Sequence, residues 1–155
     1  MNLKNFFIKA TSTFLFAGYF PLIPGTFASF VGVLLYLLIK NNLALYIVVT
    51  IILTILGFLT SGEAEKIYKK KDPRCIVIDE VCGMLLALLF LPYSIKLVIA
   101  GFFIFRLLDV VKPYPAYGIQ DLKGSMGVMS DDLVAGFYTN IVLQIVVRLA
   151  SFKIS

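Results

Sequence analysis

Apolar residues run along this chain in blocks, and short polar turns separate them. Asn5–Phe20 is apolar and aromatic with one internal lysine, a pattern suited to a helix lying in a membrane interface. Pro21, Pro24 and Gly25 then interrupt the chain. Five apolar segments follow, predicted as helices over about Thr26–Ile39, Leu43–Thr60, Ile76–Leu91, Ser94–Leu108 and Leu133–Ala150. Lys40-Asn41-Asn42 and Pro92-Tyr93 read as tight turns. Two longer polar connections remain: a basic stretch from Ser61 to Arg74, and Asp109 to Asp132, which carries Pro113, Pro115, Gly118, Gly124 and Gly127. A spanning helix takes roughly 20 residues. The second and fifth segments approach that length; the others need tilting, flanking residues or partial insertion. The expected fold is therefore all-α, a multi-helix bundle integral to or embedded in a membrane, in a single domain over residues 1–155 with a polar site at the interface. A bundle confined to one leaflet and a very apolar soluble bundle are the alternatives.

Composition strengthens the membrane reading. Of 155 residues, 60% are hydrophobic and only 15% are charged, and mean hydropathy is +0.96. Soluble domains carry about 25% charged residues. Absences narrow the chemistry. The chain has no His and no Trp, which excludes a Ser-His-Asp triad and a His-ligated zinc. Cys75 and Cys82 are seven apart, neither a redox pair nor a zinc pattern.

Charge placement adds more than charge number. All nine acids lie between Glu63 and Asp132. If the five segments cross in turn, Pro24-Gly25-Thr26, the basic stretch and the connection after Asp109 share one side. That side holds every acid and most of the Lys and Arg, so the positive-inside rule makes it cytoplasmic.

Five carboxylates stand out there. Asp79 and Glu80 sit in the apolar run Ile76–Val81, where a charge is costly; they either do chemistry or complement a helix N-terminus. Asp109 follows Arg106 by one turn, a spacing that permits an ion pair. Asp131 and Asp132 follow Ser130 and open the last segment, a helix-start pattern as well as a second acid pair. Gathered together, these acids would repel unless a hard cation joined them, and oxygen-only ligands point to Mg²⁺ or Mn²⁺. Lys112, ahead of Pro113 and Pro115, is placed to meet a phosphate or simply to face the interface. Pro24-Gly25-Thr26, with Ser29 a turn on, forms an anion-friendly helix start.

Four runs, taken together, resemble a known family. Asp72-Pro73-Arg74-Cys75-Ile76-Val77-Ile78-Asp79-Glu80-Val81-Cys82-Gly83-Met84 is similar to the DPxxIVIDExxGM block of the phosphatidylglycerophosphatase A family. Phe105–Pro115 resembles its FRxxDxxKPxP block, Gly127–Gly136 its GIMxDDxxAG block, and Pro24–Ser29 its PGTxGS start. Ala28 and Ser125 stand where the family often has Gly. The resemblance implies a Mg²⁺-dependent phosphatase of the bacterial cytoplasmic membrane. It would hydrolyse the phospholipid phosphatidylglycerophosphate to phosphatidylglycerol and inorganic phosphate. On this reading Asp79, Glu80, Asp131 and Asp132 hold one or two metal ions, and Asp109 is a ligand or orienting base. Arg106, Lys112 and Thr26 hold phosphate. Direct attack by water and an aspartyl-phosphate intermediate are both open. So are a non-enzymatic cation-binding membrane protein and a phosphatase of the same fold with another phosphomonoester substrate.

Overall fold

The computed structural model describes residues 2–119 and 121–152, and they form helices joined by turns, with no strand among them. In chain order these are α1 (Leu3–Ser12), a 3-10 turn at Ala17–Tyr19, α2 (Pro24–Ile39), α3 (Leu43–Tyr68), α4 (Ile78–Leu88), α5 (Ile95–Val111), the single turn α6 (Ala116–Ile119) and α7 (Ser125–Phe152). Local chemistry accounts for the boundaries. Pro24 begins α2, where its missing N–H costs nothing. The Asn42 side chain caps α3 by accepting from the Leu45 N–H at 3.0 Å. Lys69, in the left-handed conformation, ends α3.

Short α4 is the centre of the bundle. It packs against α2, α3, α5 and α7, and Ile78, Val81, Met84, Leu85 and Leu88 on it are fully or almost fully buried. Both of its ends are tied to neighbours. The Val77 N–H donates to the Ser12 carbonyl at 3.0 Å, linking its start to the end of α1. At the other end, the Asn140 amide on α7 donates to the carbonyls of Ala87 (3.1 Å) and Leu89 (2.7 Å), and the Tyr46 hydroxyl donates to the Leu85 carbonyl. A helix terminus inside an apolar bundle needs such partners, because no water reaches its last carbonyls.

Among the described residues, α3 and α7 are the two helices long and apolar enough to cross a membrane. Small residues bring them together: Gly57 lies against Met129, and the Gly62 N–H donates to the Ser125 hydroxyl at 2.8 Å. Thr50, Thr54 and Thr60 place hydroxyls within apolar α3 at little cost, since each donates to the carbonyl four residues back.

Several expected boundaries shift. α3 continues two turns past Thr60, so Ser61–Tyr68 is helix rather than polar connection. α4 is shorter than Ile76–Leu91, because its ends are capped from other helices. α7 starts at Ser125 instead of Leu133. Asp131 and Asp132 therefore sit in its second turn and are not its cap. α4 and α5 still run away from one end of the bundle and back, and this returns Asp79 and Asp109 to the same place.

Candidate active site

One end of the bundle holds a cleft of about 320 Å³ whose lining includes Thr26, Asp79, Glu80, Arg106, Asp109, Lys112, Asp131 and Asp132. Four elements supply them. α2 brings Gly25 and Thr26 in its first turn, and α4 brings Asp79 and Glu80 in its first turn. α5 brings Arg106 and Asp109 in its last two turns, with Lys112 as its cap. α7 brings Asp131 and Asp132.

Glycines set how closely these elements meet. A Cβ on Gly136 would overlap the Gly83 carbonyl, and one on Gly83 would lie 2.7 Å from the Asp132 carbonyl and 2.7 Å from the Phe105 ring. Gly83 is one turn beyond Asp79 on α4, and Gly136 one turn beyond Asp132 on α7. The two helices thus touch backbone to backbone directly beneath the acids. A Cβ on Gly25 would likewise overlap the Glu80 carboxylate, so Glu80 rests against the first turn of α2.

The acids divide into two sets. Asp79, Glu80 and Asp132 offer carboxylate oxygens that lie within 4.8 Å of one another. Asp131 and Asp109 are instead held by cations: Lys112 Nζ lies 2.5 Å from Asp131 Oδ2, and Arg106 Nη1 lies 2.6 Å from Asp109 Oδ2. Arg106 also donates to the Ser29 hydroxyl at 3.4 Å, and Asp109 is in hydrogen-bonding contact with Asp132. All eight residues singled out in the sequence come to this one cleft. Asp131 is the member of the expected metal set that stands apart from the three-carboxylate cluster.

Burial makes this concentration of charge costly. Asp79 is 7% exposed, Asp132 3%. Removal from water, followed by the negative charge of Glu80, pushes the Asp79 carboxyl well above the usual carboxylate range. Desolvation pushes Glu80 up to about 7, against the opposing effects of the Asp79 hydrogen bond and the Arg106 charge. Asp79 Oδ1, Glu80 Oε2, Asp131 Oδ1 and Arg106 Nε are buried and have no hydrogen-bond partner within the protein. Unmatched anionic oxygens facing a cleft are the donor set that a hard divalent cation takes. The unmatched guanidinium N–H beside them suits an anion.

Asp72 and Arg74 also line the cleft. Sequence reasoning included them in a motif but assigned them no role. Their signal was position: both precede the Asp79-Glu80 pair by less than two turns' length of chain and carry charge where the connection re-enters the apolar run.

Fold and cleft together define a helical protein of membrane type whose carboxylate-rich site opens at one end of the bundle. The family model described as phosphatidylglycerophosphatase A matches residues 10–147, and the chain belongs to that family of phosphatases. It is 36% identical over 123 residues to phosphatidylglycerophosphatase A of Escherichia coli, covering 77% of this chain and 72% of the relative. It is 30% identical over 124 residues to the enzyme of the same name from Haemophilus influenzae, covering 77% and 76%. A protein of Bacteroides thetaiotaomicron named for phosphatidylinositol-3-phosphatase activity is 32% identical over 138 residues, covering 83% and 86%. No solved structure matches the chain.

Proposed function

We propose that this protein is a divalent-cation-dependent lipid phosphatase that converts phosphatidylglycerophosphate to phosphatidylglycerol and inorganic phosphate at the cytoplasmic face of a membrane. The observation that carries this is the pairing, in one buried cleft, of three convergent carboxylates with two cations. Family membership supports the substrate. Orientation is supported by Lys66, Lys69, Lys70, Lys71 and Lys123, which cluster where α3 ends and α7 begins, against Lys40, Lys96 and Arg148 toward the far end.

Asp79, Glu80 and Asp132 would hold Mg²⁺. When bound, it would neutralise charge on the phosphate and acidify a water. The remaining work falls to the chain. Arg106 and Lys112 take phosphate oxygens, exchanging part of their pairing with Asp109 and Asp131 for the ligand. Thr26 and the first turn of α2 close the opposite wall. Asp109, freed and next to Asp132, orients a water and accepts its proton. As the water oxygen bonds to phosphorus, the bond from phosphorus to the glycerol oxygen breaks, and that oxygen leaves as the alcohol with a proton from solvent water, to which Asp109 then returns the proton it accepted.

The test is phosphate release from a panel of phosphatidylglycerophosphate, phosphatidylinositol-3-phosphate and phosphatidic acid, with Mg²⁺ or with EDTA. Release from the first lipid, abolished by EDTA and restored by Mg²⁺, is expected. Turnover confined to phosphatidylinositol-3-phosphate would instead assign the activity named for the Bacteroides relative. Turnover unaffected by EDTA would remove the cation.

A further inference from the structure

An apolar groove of about 280 Å³ runs between α2 and α5, with no polar atom exposed in its lining. Phe30, Leu34 and Leu37 form one wall and Phe103, Ile99 and Ile95 the other. Both walls continue helix faces that begin in the active site. On α2, Thr26, Phe30, Leu34 and Leu37 succeed one another at spacings of four, four and three. On α5, Arg106, Phe103, Ile99 and Ile95 do so at three, four and four. Residues at these spacings stack on one face of a helix. Thr26 and Arg106 line the cleft, so the groove starts where the cleft ends. Eleven residues of α-helix span about 16 Å, close to half of a hydrocarbon core about 30 Å thick.

We propose that this groove seats an acyl chain of the substrate phospholipid, with its phosphate in the cleft beside Arg106 and the chain descending one leaflet between α2 and α5. The proposal rests on the lipid-phosphatase reading and adds how the lipid, as distinct from its headgroup, is recognised. Continuity with the cleft distinguishes this groove from a second apolar one between α3, α4 and α7. α3 lends no residue to the cleft. Leu133, the second groove's residue nearest the site, follows Asp132 by one position and so points about 100° away around α7. Phe30, Leu34, Ile99 and Phe103 are about half exposed or more on the protein itself, leaving room for a chain to cover them.

The experiment compares kcat/KM for dioleoyl phosphatidylglycerophosphate with kcat/KM for its deacylated headgroup, glycerophosphoglycerophosphate, using the full chain in nanodiscs. The wild type should prefer the lipid. Leu34→Trp and Ile99→Trp, which fill the groove, should each lower the lipid-to-headgroup ratio about tenfold, while Ile55→Trp, which fills the second groove, should leave it unchanged. A wild type without acyl preference, or an unchanged ratio in both groove variants, would mean annular lipid only and would overturn the proposal while leaving the phosphatase intact. Hydrolysis of neither substrate would instead remove the phosphatase reading itself, and the groove's role with it. Because a Trp variant can misfold, wild-type protein is also labelled with a lipid carrying a diazirine midway along one chain. Label within 30–37 and 95–103 is expected; label confined to α3 and α7 would exclude the groove.

Discussion

α3 and α4 are built from much the same apolar residues, yet they meet their surroundings in opposite ways. The 26 residues of α3 turn Leu45, Val48, Ile51, Ile52, Ile55 and Leu59 outward. The 11 residues of α4 turn almost nothing outward. At about 1.5 Å per residue, α3 is about 39 Å long and α4 about 16 Å, so only the former can cross a hydrocarbon core about 30 Å thick. Hydropathy is high in α3 because its outer face suits lipid, and high in α4 because protein surrounds it. The two acids of α4 follow from that difference. A short helix that starts inside the bundle places its first turn at the floor of a cleft, where four neighbours fix the side chains. The polar end of α3 instead carries Glu63 and Lys66 as an exposed ion pair at 2.6 Å, of little energetic weight.

The sharpest way to break this contrast is to neutralise the first turn of α4. Asp79→Asn, Glu80→Gln and, across from them, Asp132→Asn should each lower kcat by on the order of 10³-fold or more while the protein remains folded by circular dichroism. The same changes relieve a cost. Asp79 and Glu80 bind protons more tightly in the folded chain than when unfolded, so stability without cation is greatest at low pH and falls as pH rises through the range up to about 7 set by Glu80. In EDTA, the neutral variants should lose less stability between pH 5 and 8 than the wild type. Wild-type turnover in all three would dismiss the cluster.

The core of α4 comes next. Leu85 is fully buried, and Leu85→Ala should cost about 2–5 kcal/mol by loss of packing and creation of a cavity, read from reversible unfolding in mixed micelles. A cost under 1 kcal/mol would mean that α4 is not the packed centre.

How much of this was legible in the residues divides along the same line. Hydrophobic runs located α2, α5 and the start of α3 closely, because these limits carry a local signal such as Pro24 or Asn42, but they stopped α3 eight residues short, at Thr60, where the helix turns polar. They misplaced the limits of α4 and α7, because those limits depend on partners distant in sequence. Asn140 stops α4 from 50 or so residues away, ahead of Pro92, the local signal for its end. The helical start at Ser125 is stabilised by Gly62 on α3, so the polar run Ser125–Asp132 reads as loop until α3 is beside it. The cleft residues were legible, since carboxylates in an apolar run have few structural reasons to be there. Their division was not: that Asp131 belongs with Lys112, and Asp132 with Asp79 and Glu80, follows from a difference of one position, about 100° around α7.

A smaller effect should come from the contact beneath the acids. Gly136→Ala places a methyl group against the Gly83 carbonyl, and α4 and α7 must part slightly. Overpacking of this kind costs about 1–3 kcal/mol. Because Asp132 lies one turn above Gly136, the separation between it and Asp79 should widen as well, and a shift of about 1 Å can cost about 10²-fold in rate. Apparent Mg²⁺ affinity should weaken in parallel. Lost stability with unchanged kcat and unchanged Mg²⁺ response would make the glycine contact purely structural.

The smallest effect belongs to the outer face of α3. Leu59 is 66% exposed on the protein. In a bilayer, lipid chains fill what a truncated side chain vacates, since lipid tails are as apolar as the residue removed. Leu59→Ala should therefore alter stability by no more than about 0.5 kcal/mol, the range of a site without buried partners, and leave kcat unchanged. The comparison with Leu85→Ala gives this small number its meaning. Both substitutions remove apolar atoms from a helix of similar hydropathy, and only the one surrounded by protein should register. If Leu59→Ala instead costs as much as Leu85→Ala, the outer face of α3 is covered by protein rather than lipid. Its row of Val48, Ile52 and Leu59 would then have to pack against another chain, which cross-linking through Leu59→Cys would detect.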